Sequence, residues 1–244
     1  MQNAFRQFLL LFALLALAGA GSAQAPSSSA PPNLHDAWNA LLAKYVSKTG
    51  NVNYRKFDRD QAALDAYLRQ LSDNPPAETW TRAEKMAYWI NVYNAFTIDL
   101  ILDNYPLNSI RSLDQGKPWD VRRIRLGSQT YSLNQIENEI LRPAFKDPRI
   151  HFAINCAARS CPPLLNQAYT AAQLDSLLTQ RTRQFVNNPK YNNLSPGHAS
   201  LSKIFEWYAA DFGEIKAFLN TYADIRLEPA ASISFLEYNW DLNQ

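Results

Sequence analysis

The spacing of hydrophobic positions predicts helices over most of the chain. Leu34, Trp38, Leu41, Leu42 and Tyr45 recur every three or four residues, and residues 64–71 repeat the pattern. This spacing is typical of helices that bury one face, and Gly50 and the segment DNPPAETW are expected to end the two helices. The same spacing predicts three further helices, over residues 170–186, 202–210 and 213–222.

The stretch TRAEKMAYWINVYNAFTIDLILDNYP predicts a helix that is apolar on nearly every face. Thr81 and Glu84 have the spacing of a capping box, and Pro106 follows the apolar run of residues 86–102. A helix of this kind belongs at the centre of a fold. The run contains three polar residues, Asn91, Asn94 and Asp99. Membrane spans rarely contain such residues, so a buried core helix is favoured over a membrane span.

Shorter segments alternate between apolar and polar residues and predict strands. VRRIRLGSQTYSL and KYNNLSPGHASL resemble hairpins that turn at Gly127-Ser128 and Pro196-Gly197, and SISFLEYNWDLN is expected to form a final strand. RIHFAI is also predicted as a strand. LNQIENEILRP returns to helical spacing and is expected to end at Pro143. The pattern predicts an α+β fold, a helix-rich single domain around a small, mainly antiparallel sheet with a buried central helix.

The first residues have the layout of a secretory signal peptide. Arg6 precedes an apolar run from Phe8 to Ala18, which is too short to span a membrane. Cleavage is expected after Ala23 or Ala25, which gives a signal peptide over residues 1–23 and a flexible tether over 24–32. Residues 33–244 then form a single globular domain that is secreted or periplasmic, with no membrane span after signal removal.

Composition narrows the possible partners. The formal net charge is +2 and no basic run stands out, so a nucleic-acid partner is not indicated. The chain contains 6 Trp, 12 Tyr and 12 Phe, which suits a packed domain. The expected partner is a small molecule, a peptide or a component of the cell envelope, and no cofactor is indicated.

The segment RIHFAINCAARSCPPLL contains both cysteines of the chain and one of its three histidines. In an exported protein, two cysteines predict a disulfide between Cys156 and Cys161. Alternatively, Cys161 is a nucleophile, His151 its base, and Glu137 or Asp241 orients the imidazole. A zinc site formed by these side chains is a third interpretation, although the spacing matches no standard zinc pattern.

Two asparagines and two arginines complete the candidate site. Asn91 and Asn94 share a face of the predicted core helix and are alternative orienting groups for His151, while Arg159 precedes Cys161 by two residues. Structural roles are open for each of them, because buried amides commonly bind neighbouring backbone groups. A structural role is equally open for His151. For Glu137 and Arg142, the structural alternative is an ion pair.

Five blocks taken together resemble the family called domain of unknown function number 547: YWINVYNAFTIDLIL, SLNQIENEILRP, RIHFAINCAARSCPPL, LSKIFEWYAADFG and YNWDLN. The blocks occur in this order along the chain, and the resemblance extends from about Trp38 to Asn243. The resemblance emphasises positions dispersed along the chain, many of them polar, namely Asn91, Tyr93, Asn94, Glu137, Leu141, Arg142, His151, Asn155, Cys156, Ser160, Cys161, Pro162, Trp207, Asp211, Trp240 and Asn243. It adds Tyr93 and Asn155 to Arg142 and Arg159 as candidate binding residues. Many members have a histidine where this chain has Asn138, and the family implies no established activity.

Three functions follow from these observations. The first is a thiol- or His/Glu-dependent hydrolase or acyl transferase. The second is a non-enzymatic binding module of the envelope with a structural disulfide. The third is a thiol–disulfide redox protein, although the cysteine spacing is wider than in thioredoxin-like proteins.

Overall fold

A computed structural model describes residues 29–244 of the chain, and the predicted signal peptide lies outside this range. Ten α-helical segments are present in the described part: α1 Asp36–Tyr45, α2 Tyr54–Phe57, α3 Gln61–Asp73, α4 Arg82–Leu102, α5 Leu133–Gln135, α6 Arg142–Phe145, α7 Leu174–Val186, α8 Ile204–Trp207, α9 Ala209–Phe212 and α10 Ile215–Tyr222. A π-helical segment, Ile136–Leu141, joins α5 to α6. The 3₁₀ segments are Asp58–Asp60, Ile110–Ser112, Asp114–Gly116 and Pro148–Phe152.

Helix α4 is the buried central helix that the sequence predicts. Its side chains are buried on nearly every face, and α3 and the π-helical segment pack against it. The capping box is confirmed, because the Thr81 side chain accepts a bond from the Glu84 backbone while Glu84 accepts one from that of Thr81. No helix in residues 29–244 is long and apolar enough to span a membrane.

The strands form two small sheets. The strands β1 Ile124–Leu126 and β2 Gln129–Tyr131 form one predicted hairpin, and β3 Asn193–Ser195 and β4 His198–Leu201 form the other. Strand β5, Ser232–Phe235, pairs with β4 in parallel. The helix-rich α+β class with mainly antiparallel pairing is confirmed, with the strands divided between two sheets.

The prediction of a strand over RIHFAI is wrong, because this segment contains the 3₁₀ helix Pro148–Phe152. Pro148 supplies a helical φ at its start, and the Asp147 carboxylate accepts a bond from the Arg149 backbone N–H at 3.0 Å. The six side chains from Ile150 to Asn155 are all buried. Their apolar–polar alternation therefore does not mark one core face and one solvent face.

The prediction that Pro143 ends its helix is also wrong, because the helix continues as α6 to Phe145. The Arg142 N–H donates to the carbonyl of Glu137, five residues back, which closes a wide π turn. Proline has no N–H to donate. Pro143 therefore sits where the chain returns from π to α hydrogen bonding, and its missing donor is tolerated there.

Three C-terminal helices also differ from their predicted bounds. Helix α7 begins at Leu174 instead of residue 170, and α10 begins at Ile215. The helix predicted over 202–210 is divided into α8 and α9 by Tyr208, whose φ of −112° and ψ of 25° are not helical. The division turns the Tyr208 side chain toward His151.

Buried side chains form two hydrophobic clusters. The larger cluster contains residues of α1, α3 and α4, and the smaller one surrounds Phe152, Phe185 and Phe205. The 3₁₀ helix Pro148–Phe152 contributes to both, because Ile150 belongs to the first cluster and Phe152 to the second. His151 therefore lies at the boundary between the two clusters.

Candidate functional site

His151 lies at the floor of a pocket of about 250 Å³. Its imidazole is almost fully buried, and its ring stacks on Tyr208 with a centroid distance of 4.0 Å. The Nε2 atom is 2.7 Å from Oδ2 of Asp211. The Nδ1 atom is 4.0 Å from Oε1 of Glu137. The predicted meeting of His151 and Glu137 is thus present in the structure.

Asp211 is held as an anion by Arg142. The guanidinium makes two parallel hydrogen bonds, Nε to Oδ2 at 2.6 Å and Nη2 to Oδ1 at 2.9 Å. Arg142, and to a lesser degree His151, lower the pKa of Asp211. An ionised carboxylate can only accept a hydrogen bond, so the bond to His151 assigns the imidazole proton to Nε2.

Burial keeps His151 neutral. It lowers the pKa of His151 to about 4, although the bond to Asp211 acts in the opposite direction. A neutral imidazole with its proton on Nε2 has a free lone pair on Nδ1. Because Glu137 lies on that side of the ring, the lone pair and the carboxylate face each other.

Glu137 is the second acid–base group of the pocket. Burial raises its pKa, and the hydroxyl groups of Tyr208 and Tyr93 oppose this as hydrogen-bond donors to the carboxylate. A water at an ordinary hydrogen-bond distance of roughly 2.8 Å can contact Nδ1 of His151 and Oε1 of Glu137 together, since these atoms are 4.0 Å apart. The pair is therefore spaced to bind a water between base and acid.

The π turn brings Glu137 and Arg142 to the same site. In an α-helix, residues five apart point in directions about 140° apart. The wide turn that joins the Glu137 carbonyl to the Arg142 N–H brings them to nearly the same side. Arg142 also donates from Nη1 to Oδ1 of Asn138 at 2.7 Å. Asn138 thus supports the arginine.

An aromatic wall forms the upper part of the pocket, and we define it as Trp119, Trp207, Tyr238 and Trp240. Trp240 is its centre, with ring centroids 5.6 Å from Trp119, 5.8 Å from Trp207 and 4.6 Å from Tyr238. Trp207 is 47 % exposed. The wall therefore exposes apolar ring surface in the same pocket as His151.

Both cysteines line the same pocket and are free thiols in this structure, so the predicted disulfide is not present in it. The Cys156 N–H donates to Sγ of Cys161 at 3.0 Å, and Sγ of Cys156 lies 3.2 Å from the Tyr238 hydroxyl. Hydrogen bonds from Cys161 and Tyr238 lower the pKa of Cys156, while burial raises that of Cys161. This distribution disfavours Cys161, the predicted nucleophile, relative to Cys156.

The predicted pairing of a sulfur with His151 does not form, because the two ring nitrogens face Asp211 and Glu137. The zinc interpretation finds no support either. Within residues 29–244, no group of three or more His, Cys, Asp and Glu side chains is placed to hold a metal ion.

Asn91 and Asn94 hydrogen-bond to backbone groups. This is the structural role that the sequence left open as the alternative to a catalytic role. Asn91 bonds to both the carbonyl and the N–H of Tyr169, at 2.8 and 3.0 Å. Asn94 donates to the Ala153 carbonyl at 2.9 Å and accepts from the Asn155 N–H at 2.8 Å. Neither side chain lines the pocket. Asn94 instead holds the segment between His151 and the cysteines against α4.

Asn155 and Arg159 also hold the backbone around the cysteines. Asn155 donates to the Pro162 carbonyl at 2.8 Å and accepts from the N–H of Ala157 and the amide of Asn243. Arg159 donates from Nε to the Leu242 carbonyl at 3.3 Å, away from the pocket lining. Of the four predicted binding residues, only Tyr93 lines the pocket, and Arg142 acts on it through Asp211.

The predicted site residues did not include the aromatic wall, nor Asp211 and Tyr208, which contact the imidazole of His151. Asp211 lies in the block LSKIFEWYAADFG, and the family resemblance emphasises both Asp211 and Trp207. This block is the sequence feature from which Asp211 could have been predicted as a site residue. Tyr208, next to Trp207, carried no signal of its own, because a tyrosine in an aromatic-rich segment is usually a packing residue.

Residues 77–186 match the family model described as "Protein of unknown function, DUF547". This segment of the chain is therefore similar to that family. The matched range includes α4, Glu137, His151 and both cysteines, while Asp211 and most of the aromatic wall lie beyond it. No curated protein and no solved structure matches the chain.

Proposed function

We propose that this protein is a hydrolase of esters or amides that depends on His151 and Glu137. The observation that carries the proposal is the geometry of His151, with Nε2 on the anionic Asp211 and Nδ1 open toward Glu137 at the floor of a pocket. A base oriented by a carboxylate, next to a second carboxyl group with a raised pKa, is the arrangement that general acid–base catalysis needs.

In the proposed reaction, water is the nucleophile. Nδ1 of His151 accepts a proton from the water while the water oxygen attacks the substrate carbonyl. Asp211, paired with Arg142, stabilises the imidazolium that forms, as the aspartate of a catalytic triad does. The carboxyl group of Glu137, whose neutral form burial favours, donates a proton to the leaving group. The imidazolium then returns a proton to the carboxylate of Glu137.

The structure favours this His/Glu mechanism over a thiol mechanism. A sulfur nucleophile needs an imidazole or another base beside it, and here the imidazole nitrogens face two carboxyl groups. If a hydroxyl or amine of a second substrate occupies the water position, the same groups support acyl transfer. The aromatic wall would bind the apolar part of the substrate.

The proposal is tested by hydrolysis of p-nitrophenyl acetate, p-nitrophenyl butyrate and the corresponding anilides. His151→Asn and Asp211→Asn are each expected to lower kcat/KM by about 10² to 10⁴, the range for loss of general acid–base catalysis. Glu137→Gln is expected to lower it by a similar factor for the anilides, whose amine leaving group needs a proton, and less for the esters. His198→Asn is the matched control, because His198 is exposed on β4 and hydrogen-bonds only to serine hydroxyls there. Equal hydrolysis by wild type and His151→Asn, both folded, would refute the proposal.

A second candidate function is a non-enzymatic binding module of the cell envelope. The exposure of Trp207 beside Trp240 favours it, since exposed aromatic rings around a pocket bind sugars, peptides and other partly apolar ligands. The His151→Asn variant distinguishes the hydrolase from the binding module. A ligand of the envelope that binds wild type and His151→Asn equally, with no turnover by either, would favour the binding module.

We also propose that the protein is exported and that Cys156 and Cys161 form a disulfide after export. The layout of residues 1–23 supports export. The contact between the Cys156 N–H and Sγ of Cys161 supports the disulfide, because it places the two side chains beside each other. The proposed hydrolysis uses neither sulfur, so it is compatible with both redox states.

A further inference from the structure

A second depression, of about 430 Å³, lies at the C-terminal half of α7 and is lined by positively charged side chains. Among residues 29–244, its lining includes three cationic residues, Lys48, Arg181 and Lys190, and no aspartate or glutamate. Asn51, Asn188 and Gln184 add amide groups. None of these six residues lines the pocket above His151, so this is a separate feature of the molecule.

Arg181 is a buried cation without a counter-ion. Its side chain is only 8 % exposed, and among residues 29–244 no carboxylate forms an ion pair with it. It donates from Nη1 to Gln184 at 2.7 Å and from Nη2 to the Pro163 carbonyl, both neutral acceptors. The Nε atom is buried and has no acceptor in the part of the protein that the structure describes.

An unpaired buried charge costs stability, because desolvation is not repaid by an opposite charge. Burial accordingly lowers the pKa of Arg181. Natural proteins retain such a group where an external anion supplies the missing charge, and a guanidinium matches the geometry of phosphate and carboxylate. The buried charge thus points to a ligand and not to a structural ion pair.

Two exposed lysines extend the positive charge from Arg181 to the surface. Lys190 lies next to Tyr191, with Nζ 5.1 Å from the ring centroid, and Lys48 lies on the loop after α1. In residues 29–244 neither lysine forms an ion pair. Both are therefore free to bind the outer oxygens of an anion that reaches Arg181.

The depression has a fixed wall. Gly50, in the loop with Lys48, has a φ of +82°, and a Cβ there would lie 2.4 Å from Cβ of Pro163. The loop is therefore packed tightly against Pro163, whose carbonyl accepts from Arg181. This contact sets the position of Lys48 relative to Arg181 without any ligand.

We propose that the depression formed by Lys48, Arg181 and Lys190 is a binding site for an oxyanion, a phosphate or carboxylate group of a small ligand. Arg181 contacts the anion at the base of the site and the lysines neutralise it at the mouth. The proposal is independent of the proposed hydrolase activity, because it concerns other residues and another cavity.

The test is isothermal titration of the protein with inorganic phosphate, and separately with acetate, at constant ionic strength. Wild type is expected to bind at least one of them saturably. The double variant Lys48→Met/Lys190→Met and the single variant Arg181→Met are each expected to weaken binding at least about tenfold, the effect of losing one charge-assisted hydrogen bond. Arg183→Met is the matched control, because Arg183 is exposed on the same helix and stacks over Tyr222 outside the depression. It should bind within about twofold of wild type.

The lysine variants decide the outcome if Arg181→Met does not fold, because both lysines are exposed and their substitution leaves the core intact. Saturable binding that the lysine variant weakens and Arg183→Met does not supports the site, and the preferred anion identifies the group. No saturable binding of either anion by wild type overturns the proposal. Equal weakening by Arg183→Met also overturns it, because the effect would then be one of net charge.

Discussion

At the residue scale, the neighbours of His151 decide what it can do. Arg142 keeps Asp211 ionised, Asp211 places the imidazole proton on Nε2, and burial keeps the ring neutral. The sequence could predict His151 and Glu137, because a histidine and a carboxylate in an aromatic-rich domain are chemically conspicuous. It could not predict Asp211 as the partner, because 60 residues separate it from His151 and no local pattern connects them.

The state of the two thiols also belongs to the residue scale. The structure has free thiols in contact, and we propose that they are oxidised to a disulfide after export. The exported protein, denatured and alkylated without reductant, is then expected to remain unmodified, whereas prior reduction adds two alkyl groups by mass spectrometry. Protein made in the reducing cytoplasm without residues 1–23 is the control, and both of its thiols should be alkylated. Two alkyl groups on the unreduced exported protein would contradict the disulfide.

At the scale of elements, the sequence predicts a helix or hairpin correctly where a local residue pattern is specific to that element. The capping box and apolar run of α4 and the two hairpin turns are local signals, and the structure confirms them. Prediction failed over RIHFAI, because a fully buried 3₁₀ turn and a strand share an alternating sequence. It failed at Pro143 for a different reason, since a π turn changes the hydrogen-bond register and leaves no signature in hydrophobic spacing.

The π-helical segment gives a prediction at this scale. Inserting one alanine after Glu139, an exposed residue of the segment, should add a residue between Glu137 and Arg142 and rotate Arg142 by about 100° relative to Glu137. Arg142 then loses Asp211, and kcat/KM for the p-nitrophenyl esters should fall at least about tenfold. Glu139→Ala changes the neighbouring side chain without changing the register and should keep the activity. Full activity of the insertion variant would show that the register of this segment does not position the site.

At the scale of the whole molecule, the site exists because distant segments converge at the boundary of two hydrophobic clusters. Glu137 comes from the π-helical segment, His151 from the 3₁₀ helix, Asp211 from α9 and Trp240 from the C-terminal segment. The C-terminal segment also holds the cysteine loop, since Arg159 N–H donates to the Asp241 carbonyl at 2.8 Å and Asn243 N–H to that of Ala157 at 3.0 Å. Periodicity predicts each element separately, but it does not predict this convergence.

The central claim is that His151 is a neutral base with its proton on Nε2 and its Nδ1 open toward Glu137. A ¹⁵N NMR titration of histidine-labelled protein tests it most directly, with the His151 signals assigned from His151→Asn. We expect an Nε2–H tautomer that stays neutral as the pH falls and becomes protonated only near the pKa of about 4, with the tautomer preference lost in Asp211→Asn. A proton on Nδ1, or protonation near the ordinary pKa of about 6.5, would show that His151 is not such a base.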